Sequence, residues 1–195
     1  MSHANDPLYR TLRNVALVLG VAWVGWAFYD SYLVDKEPGT MALAAAERYY
    51  EDGRYTEALT EYGNTLKISP GQIGAIRGQA RTLLVLGRLN EALERYDEAI
   101  ARDPGFAGQY ANRGILLDRM GHYEEALEDY EHALELDPEI AEGIHWLTRF
   151  LRNQSEKPPT IADRAAYLSQ ELAKPEAERL LRVPEEDEAQ RPHKM

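Results

Sequence analysis

Apolar residues are distributed along the chain in two unlike ways. From Asn14 to Tyr29 sixteen residues run without a charge, apolar on every side. Beyond about residue 40 the apolar positions recur at helical spacing, with regular interruptions. Ala92, Tyr96 and Ala99 stand at i, i+4 and i+7, one stripe on a helix. The pattern then repeats. Ala58, Ala92 and Ala126 are each 34 residues apart, as are Tyr62, Tyr96 and Tyr130, Gly53, Gly87 and Gly121, and Pro70, Pro104 and Pro138. Four residue types sharing one register three times over predict a tandem repeat of short helices.

Each unit reads as a helical hairpin. A first helix ends near Gly53, Gly87 or Gly121, where a residue without Cβ can take the left-handed conformation of a C-cap. A second helix carries the alanine and tyrosine stripe. The small residues let two helices approach, and the tyrosines fill the gap while a partner is found for the hydroxyl. Proline closes the unit because it lacks an amide donor and clashes with the preceding turn. Period, small residues and closing proline together resemble the tetratricopeptide repeat (TPR) family. The matching units are 39–72, 73–106 and 107–140, the last being the closest through Tyr110, Gly114, Tyr123, Ala126, Tyr130, Ala133 and Leu134 to Pro138. Gln79 and Arg113 depart from the family, which prefers Leu there, and Ala42 and Ile76 stand where it prefers Trp. The expected fold class is all-α: an N-terminal transmembrane helix, then a TPR solenoid with C-terminal capping helices.

Around the repeats the chain divides further. Residues 1–13 form a short polar segment with Arg10 and Arg13, and residues 14–34 are expected to be a transmembrane anchor. The sixteen uncharged residues give roughly 24 Å of helix, and the flanks extend this toward a hydrocarbon core of about 30 Å. Trp23, Trp26, Tyr29 and Tyr32 gather at the C-terminal end as an interfacial belt does. A cleaved signal peptide ending at Gly25-Trp26-Ala27 is the competing reading. Arginines before the span and Asp30, Asp35 and Glu37 after it orient a single-pass anchor with a cytoplasmic N-terminus and extracytoplasmic repeats, periplasmic in a bacterium. Ala16 and Gly20 form a small-xxx-small pair of the kind that seats against another span, though such pairs are common by chance.

Residues 35–38 are a linker, and 39–154 the repeat domain. Within it, residues 141–153 are expected to form a capping helix, because a terminal repeat has no neighbour to cover its apolar face. Residues 155–183 comprise a proline-bearing linker and an appended helix, which Thr160 and Asp163 start as a capping box. Its stripe is Ile161, Ala165, Leu168 and Leu172, which either packs back onto the stack or docks onto a partner. Residues 184–195 read as a disordered tail.

Composition narrows the chemistry. The 195 residues carry 33 acidic side chains against 22 Lys and Arg, a net charge of −11, opposite to a duplex nucleic-acid binder. Cysteine is absent, which excludes disulfides, thiolate metal sites and a cysteine nucleophile. The five histidines have no zinc-hydrolase spacing, and no phosphate-binding or nucleophile motif occurs. No catalytic, cofactor-binding or metal residue is therefore expected, and the chain is not expected to be an enzyme.

The resemblance to TPR proteins implies a concave groove lined by the first helices. Here those positions are Leu43, Glu47, Tyr50 and Glu51, then Arg77, Arg81, Leu84 and Val85, then Ala111, Ile115, Asp118 and Arg119. The capping helix adds His145, Arg149 and Arg152. The arginines would fork onto carboxylates beside the apolar contacts, so the expected partner is a protein segment with acidic and apolar residues. The opposing reading is that they neutralise neighbouring acids such as Glu47 and Asp118. The pattern does not match the Lys/Asn carboxylate clamp of chaperone-binding TPR proteins. The function expected is a membrane-anchored TPR adaptor for assembly or stabilisation of a membrane complex, as in anchored TPR factors of cytochrome biogenesis, photosystem assembly and translocon-associated chaperoning. The alternative is a permanent structural subunit docking through its transmembrane helix and the Ile161 to Leu172 stripe.

Overall fold

A computed structural model of the chain describes residues 7–30, 39–142, 159–183 and 192. The chain forms two units, residues 1–38 and residues 39–195.

The first unit contains α1 (Pro7–Phe28), a helix of 22 residues. Pro7 occupies the first helical position, where its missing amide costs nothing and its fixed φ suits the helix. Thr11 Oγ1 donates back to the Pro7 carbonyl at 2.9 Å. By length and composition α1 can cross a membrane, and none of its residues is buried. The helix starts seven residues earlier than the expected span 14–34, since Arg10 and Arg13 are good helix formers and nothing interrupts the turns between Pro7 and Asn14. Residues 31–34 lie outside the described residues.

The second unit is built from pairs of antiparallel helices. They are α2 (Thr40–Glu51) with α3 (Tyr55–Ile68), α4 (Ile73–Val85) with α5 (Leu89–Arg102), and α6 (Ala107–Met120) with α7 (Tyr123–Leu136). Each hairpin packs on the next, α3 against α4 and α5 against α6. All three first helices end in the same way. Gly53, Gly87 and Gly121 have φ of 74°, 72° and 83°. The amide just after each glycine closes onto a carbonyl five residues back: Arg54 to Tyr49, Arg88 to Leu83, and His122 to Leu117, at 2.8 to 2.9 Å. This Schellman closure needs a left-handed residue, and glycine is the one that takes it without strain.

Before Pro104 and Pro138 the second helix stops on an aspartate. Asp103 and Asp137 turn their carboxylates onto the amides of Gly105 and Glu139, holding the turn into the next element. The stripe inferred from sequence is the hairpin core: Ala58, Ala92 and Ala126, like Tyr62, Tyr96 and Tyr130, are fully buried. Helix–helix contact here is close. A Cβ at Gly78 would overlap the Tyr62 ring, and one at Gly114 would lie 2.7 Å from that of Tyr130.

Of the residues expected to form a capping helix, 141 and 142 end a 3₁₀ turn, Pro138–Glu142, and 143–153 lie outside the described residues. What covers α7 is α8 (Ile161–Leu172). It opens with the expected capping box, Thr160 Oγ1 accepting from the Asp163 amide at 3.2 Å while the Asp163 carboxylate accepts from the Thr160 amide at 2.9 Å. Ile161, Ala165 and Leu168 are buried with Leu172 in the same apolar cluster as Tyr110, Leu117 and Tyr130. Of the two readings of the stripe, docking on a partner or packing back onto the stack, the structure has the second. Burying a leucine such as Leu168 contributes about 1.5–3 kcal/mol, and the stack itself offers the nearest apolar face.

Candidate functional site

The expected groove residues fall on α4 and α6, but the structure uses most of them internally. Leu84, Ala111 and Ile115 are fully or almost fully buried, Val85 is half-buried and Arg119 is exposed. Arg149 lies outside the described residues, as do His145 and Arg152.

Arg77 and Arg81 do not form an open basic strip. Arg77 donates through Nη2 to Asp103 and through Nε to Gln109 Oε1 at 3.2 Å, with its guanidinium 4.1 Å above the Phe106 ring. It pins the turn between α5 and α6. Arg81 is only 2% exposed. Its Nη2 meets Glu47 Oε2 at 2.9 Å and Tyr62 Oη at 3.4 Å, and the guanidinium stacks 3.9 Å over Tyr50. Tyr62 in turn donates to Glu47 Oε1 at 2.6 Å. The reason is elementary: a guanidinium on the inner face of a packed helix is stable there only with a carboxylate beside it, and Glu47 supplies one. Burial, the largest single influence, would lower the Arg81 pKa; Glu47, Tyr50 and Tyr62 together outweigh it and raise the value. Burial, then the hydrogen bond to Glu47, push the Tyr62 hydroxyl up.

Asp118 has a partner no sequence spacing indicated. Arg164 of α8 forks onto it, Nε to Oδ2 and Nη2 to Oδ1, both at 2.7 Å. Tyr130 reaches the same carboxylate at 3.3 Å, and Arg164 Nη2 also donates to the Leu181 carbonyl at 2.8 Å. The pair sits 46 residues apart in the chain and is buried on both sides. An arginine beside the apolar stripe of α8, one residue before Ala165, was the available signal. Arg113, noted above as a departure from the family, is another clamp. It forks onto Asp129 through Nε and Nη2 and reaches Asp97 through Nη1, all at 2.7 Å, which raises its pKa. The central tyrosine differs from the other two. Tyr96 is fully buried, and its hydroxyl has no hydrogen-bond partner among the described residues.

A repeating hairpin with buried alanine and tyrosine at fixed register, closed by a left-handed glycine, is the arrangement that the comparisons recognise. The family profile described as tetratricopeptide repeat matches residues 107–140, and a second of the same description matches 49–112. The chain carries tetratricopeptide repeats. Solved TPR structures share the fold. The first TPR of Spaghetti (RPAP3), bound to an HSP90 peptide SRMEEVD, is 22% identical with a TM-score of 0.57, over 72% of this chain and 98% of that one. The Arabidopsis OM64 TPR domain is 22% identical with a TM-score of 0.50, over 51% of this chain and 83% of that one. An O-GlcNAc transferase mutant of Thermobaculum terrenum is 26% identical with a TM-score of 0.50, over 51% of this chain but only 19% of that one. A search of curated proteins gives no match.

Proposed function

We propose that the chain is a membrane-anchored TPR scaffold that holds protein partners during assembly or stabilisation of a membrane complex. The observation that carries the reading is α1, long and apolar enough to span a bilayer and with no buried residue, in the same chain as a packed repeat stack. A helix apolar all round is stable in water only when covered, by lipid or by protein. The anchor is proposed to be retained, with its N-terminus cytoplasmic and the repeats on the opposite side, in the periplasm of a bacterium.

The partner surface proposed is the face of the first helices around Tyr50, Val85 and Arg119, with Arg77 and Arg81 shaping it from below. A solved relative binds a peptide ending in acidic residues, which accords with a partner segment of acidic and apolar character. The alternative, a permanent subunit docking through its transmembrane helix and the α8 stripe, keeps only the first of its two contacts, since the stack covers that stripe.

Photo-cross-linkers placed at Val85 and Arg119 of the full chain, in native membranes, test this. They are expected to trap a membrane-complex protein that a cross-linker at Glu94 does not. Removal of residues 1–30 should release the chain from membranes and sharply reduce the trapping. Equal trapping from all three positions, or undiminished trapping without residues 1–30, would overturn the reading.

A further inference from the structure

The repeat offers an internal comparison between its two junctions. Where the second hairpin meets the third, positions 97, 113 and 129 hold Asp97, Arg113 and Asp129, a guanidinium clasped between two carboxylates at 2.7 Å. One repeat earlier, where the first hairpin meets the second, the same three positions are 63, 79 and 95. They hold Gly63, Gln79 and Arg95. The carboxylate of Asp97 is replaced by no side chain at all, and that of Asp129 by a cation.

The consequence is a cleft of about 400 Å³ between α3, α4 and α5, with Gly63, Gln79 and Arg95 in its walls. Lys67 and Arg102 join Arg95 there against one acid, Glu98, so the lining carries a net charge of +2 (three cations less one anion) in a chain of net −11. Glu98 already accepts from Arg95 Nη1 at 2.6 Å and from Arg102 Nη2 at 2.9 Å. The Gln79 side-chain oxygen is buried and has no hydrogen-bond partner among the described residues. A basic recess stands where the neighbouring junction holds a carboxylate.

We propose that this cleft binds an acidic side chain, a glutamate or aspartate, of a protein partner. The carboxylate takes the place that Asp97 fills one repeat later. Arg95 and Lys67 donate to it, and Gln79 Nε2, which lies 3.6 Å from where a Cβ at Gly63 would stand, contributes a further donor. The volume admits the acidic residue together with its flanking backbone. The site draws on α3 and α5 with Gln79 of α4, shares no residue with the face proposed above and does not depend on it.

The probe is the capped dipeptide acetyl-Glu-Glu-amide, titrated into the full chain in detergent micelles and followed by ¹H–¹⁵N NMR. The Gly63 amide and the Arg95 Nε–H are expected to shift saturably, and acetyl-Gln-Gln-amide should leave them in place. Gly63→Asp supplies the missing carboxylate from within the chain. A Cβ at Gly63 meets Gln79 Nε2 at 3.6 Å, ordinary contact, so the fold tolerates the change. Binding should then weaken at least about tenfold, as it should in Arg95→Gln, the loss expected on removing a charge-assisted hydrogen bond. Gly63→Ala should bind within about twofold of the unaltered chain, because it adds bulk without charge. Three results overturn the proposal. They are unchanged binding in both Gly63→Asp and Arg95→Gln, tighter binding of inorganic phosphate than of the dipeptide, and shifts at Gly63 on deleting residues 184–195, which would make the chain's own acidic tail the occupant.

Discussion

Tyr62, Tyr96 and Tyr130 occupy one position of the repeat, are equally buried, and differ only in what their hydroxyls meet. Replacing each with phenylalanine keeps the ring and removes one oxygen, so the series isolates the polar contribution. Tyr62 donates to a carboxylate at 2.6 Å and lies 3.4 Å from Arg81. Losing a hydrogen bond to a charged group costs about 1.5–3 kcal/mol, and Tyr62→Phe should fall in that range. Tyr130 meets Asp118 at 3.3 Å, but Arg164 already satisfies that carboxylate. Tyr130→Phe should cost less, about 0.5–1.5 kcal/mol. Tyr96 has no hydrogen-bond partner for its hydroxyl among the described residues. Its hydroxyl contributes only a desolvation penalty of about 1–3 kcal/mol, so Tyr96→Phe should be neutral or stabilising. Urea denaturation of the three variants at unchanged m-value reads the order directly. Destabilisation by Tyr96→Phe as large as that by Tyr62→Phe would refute the reasoning, because it would mean the central hydroxyl is satisfied.

Other consequences are equally specific. Asp118→Ala strands the buried Arg164 guanidinium and should cost about 3–5 kcal/mol, seen as a lower melting temperature and loss of amide protection in α7 and α8. Glu91→Ala, which breaks the exposed pair with Arg88, should leave the melting curve where it was. Gly78→Ala should destabilise by about 1–3 kcal/mol despite alanine's better helix propensity, since its methyl overlaps the buried Tyr62 ring, whereas Gly63→Ala in the same stack should stabilise slightly. Hydrogen bonds from Lys174 and then the Leu180 amide hold the Glu171 carboxyl below the usual carboxylate range. Because the folded value lies below the unfolded one, the stabilisation is complete above about pH 4.3 and is lost as pH falls through the folded value. Amide-exchange protection at Leu180 should therefore drop on acidification, and Glu171→Gln should abolish that step.

The hairpins were legible because their determinants are local. A glycine required by a left-handed turn, a proline that ends a helix and a stripe at helical spacing all act within a dozen residues of where they are read. The site was legible only in outline. Arg77 and Arg81 fall on the expected helix, but their charge is spent on Asp103 and Glu47, and which acid meets which arginine depends on packing between helices 26 and 34 residues apart. The Arg164 to Asp118 pair spans a longer separation still and had no periodic trace. The stripe of α8 was visible, yet whether it would cover the stack or a partner was decided by the open apolar face of α7. Gln79 and Arg113 stood out in the sequence as polar residues at a position where the family prefers Leu; only the structure shows that one is clasped and the other faces a cleft.

The central claim, a retained anchor holding the repeats on one side of a membrane, is tested most directly by single-cysteine labelling, for which the cysteine-free chain needs no prior substitution. Ser2→Cys and Glu139→Cys variants are exposed to a membrane-impermeant maleimide in intact cells or spheroplasts and again after lysis. The account predicts that Glu139→Cys labels before lysis and that Ser2→Cys labels only afterwards, both on a chain of full-length mass. Labelling of Glu139→Cys only after lysis, or a mature chain lacking α1, would contradict it.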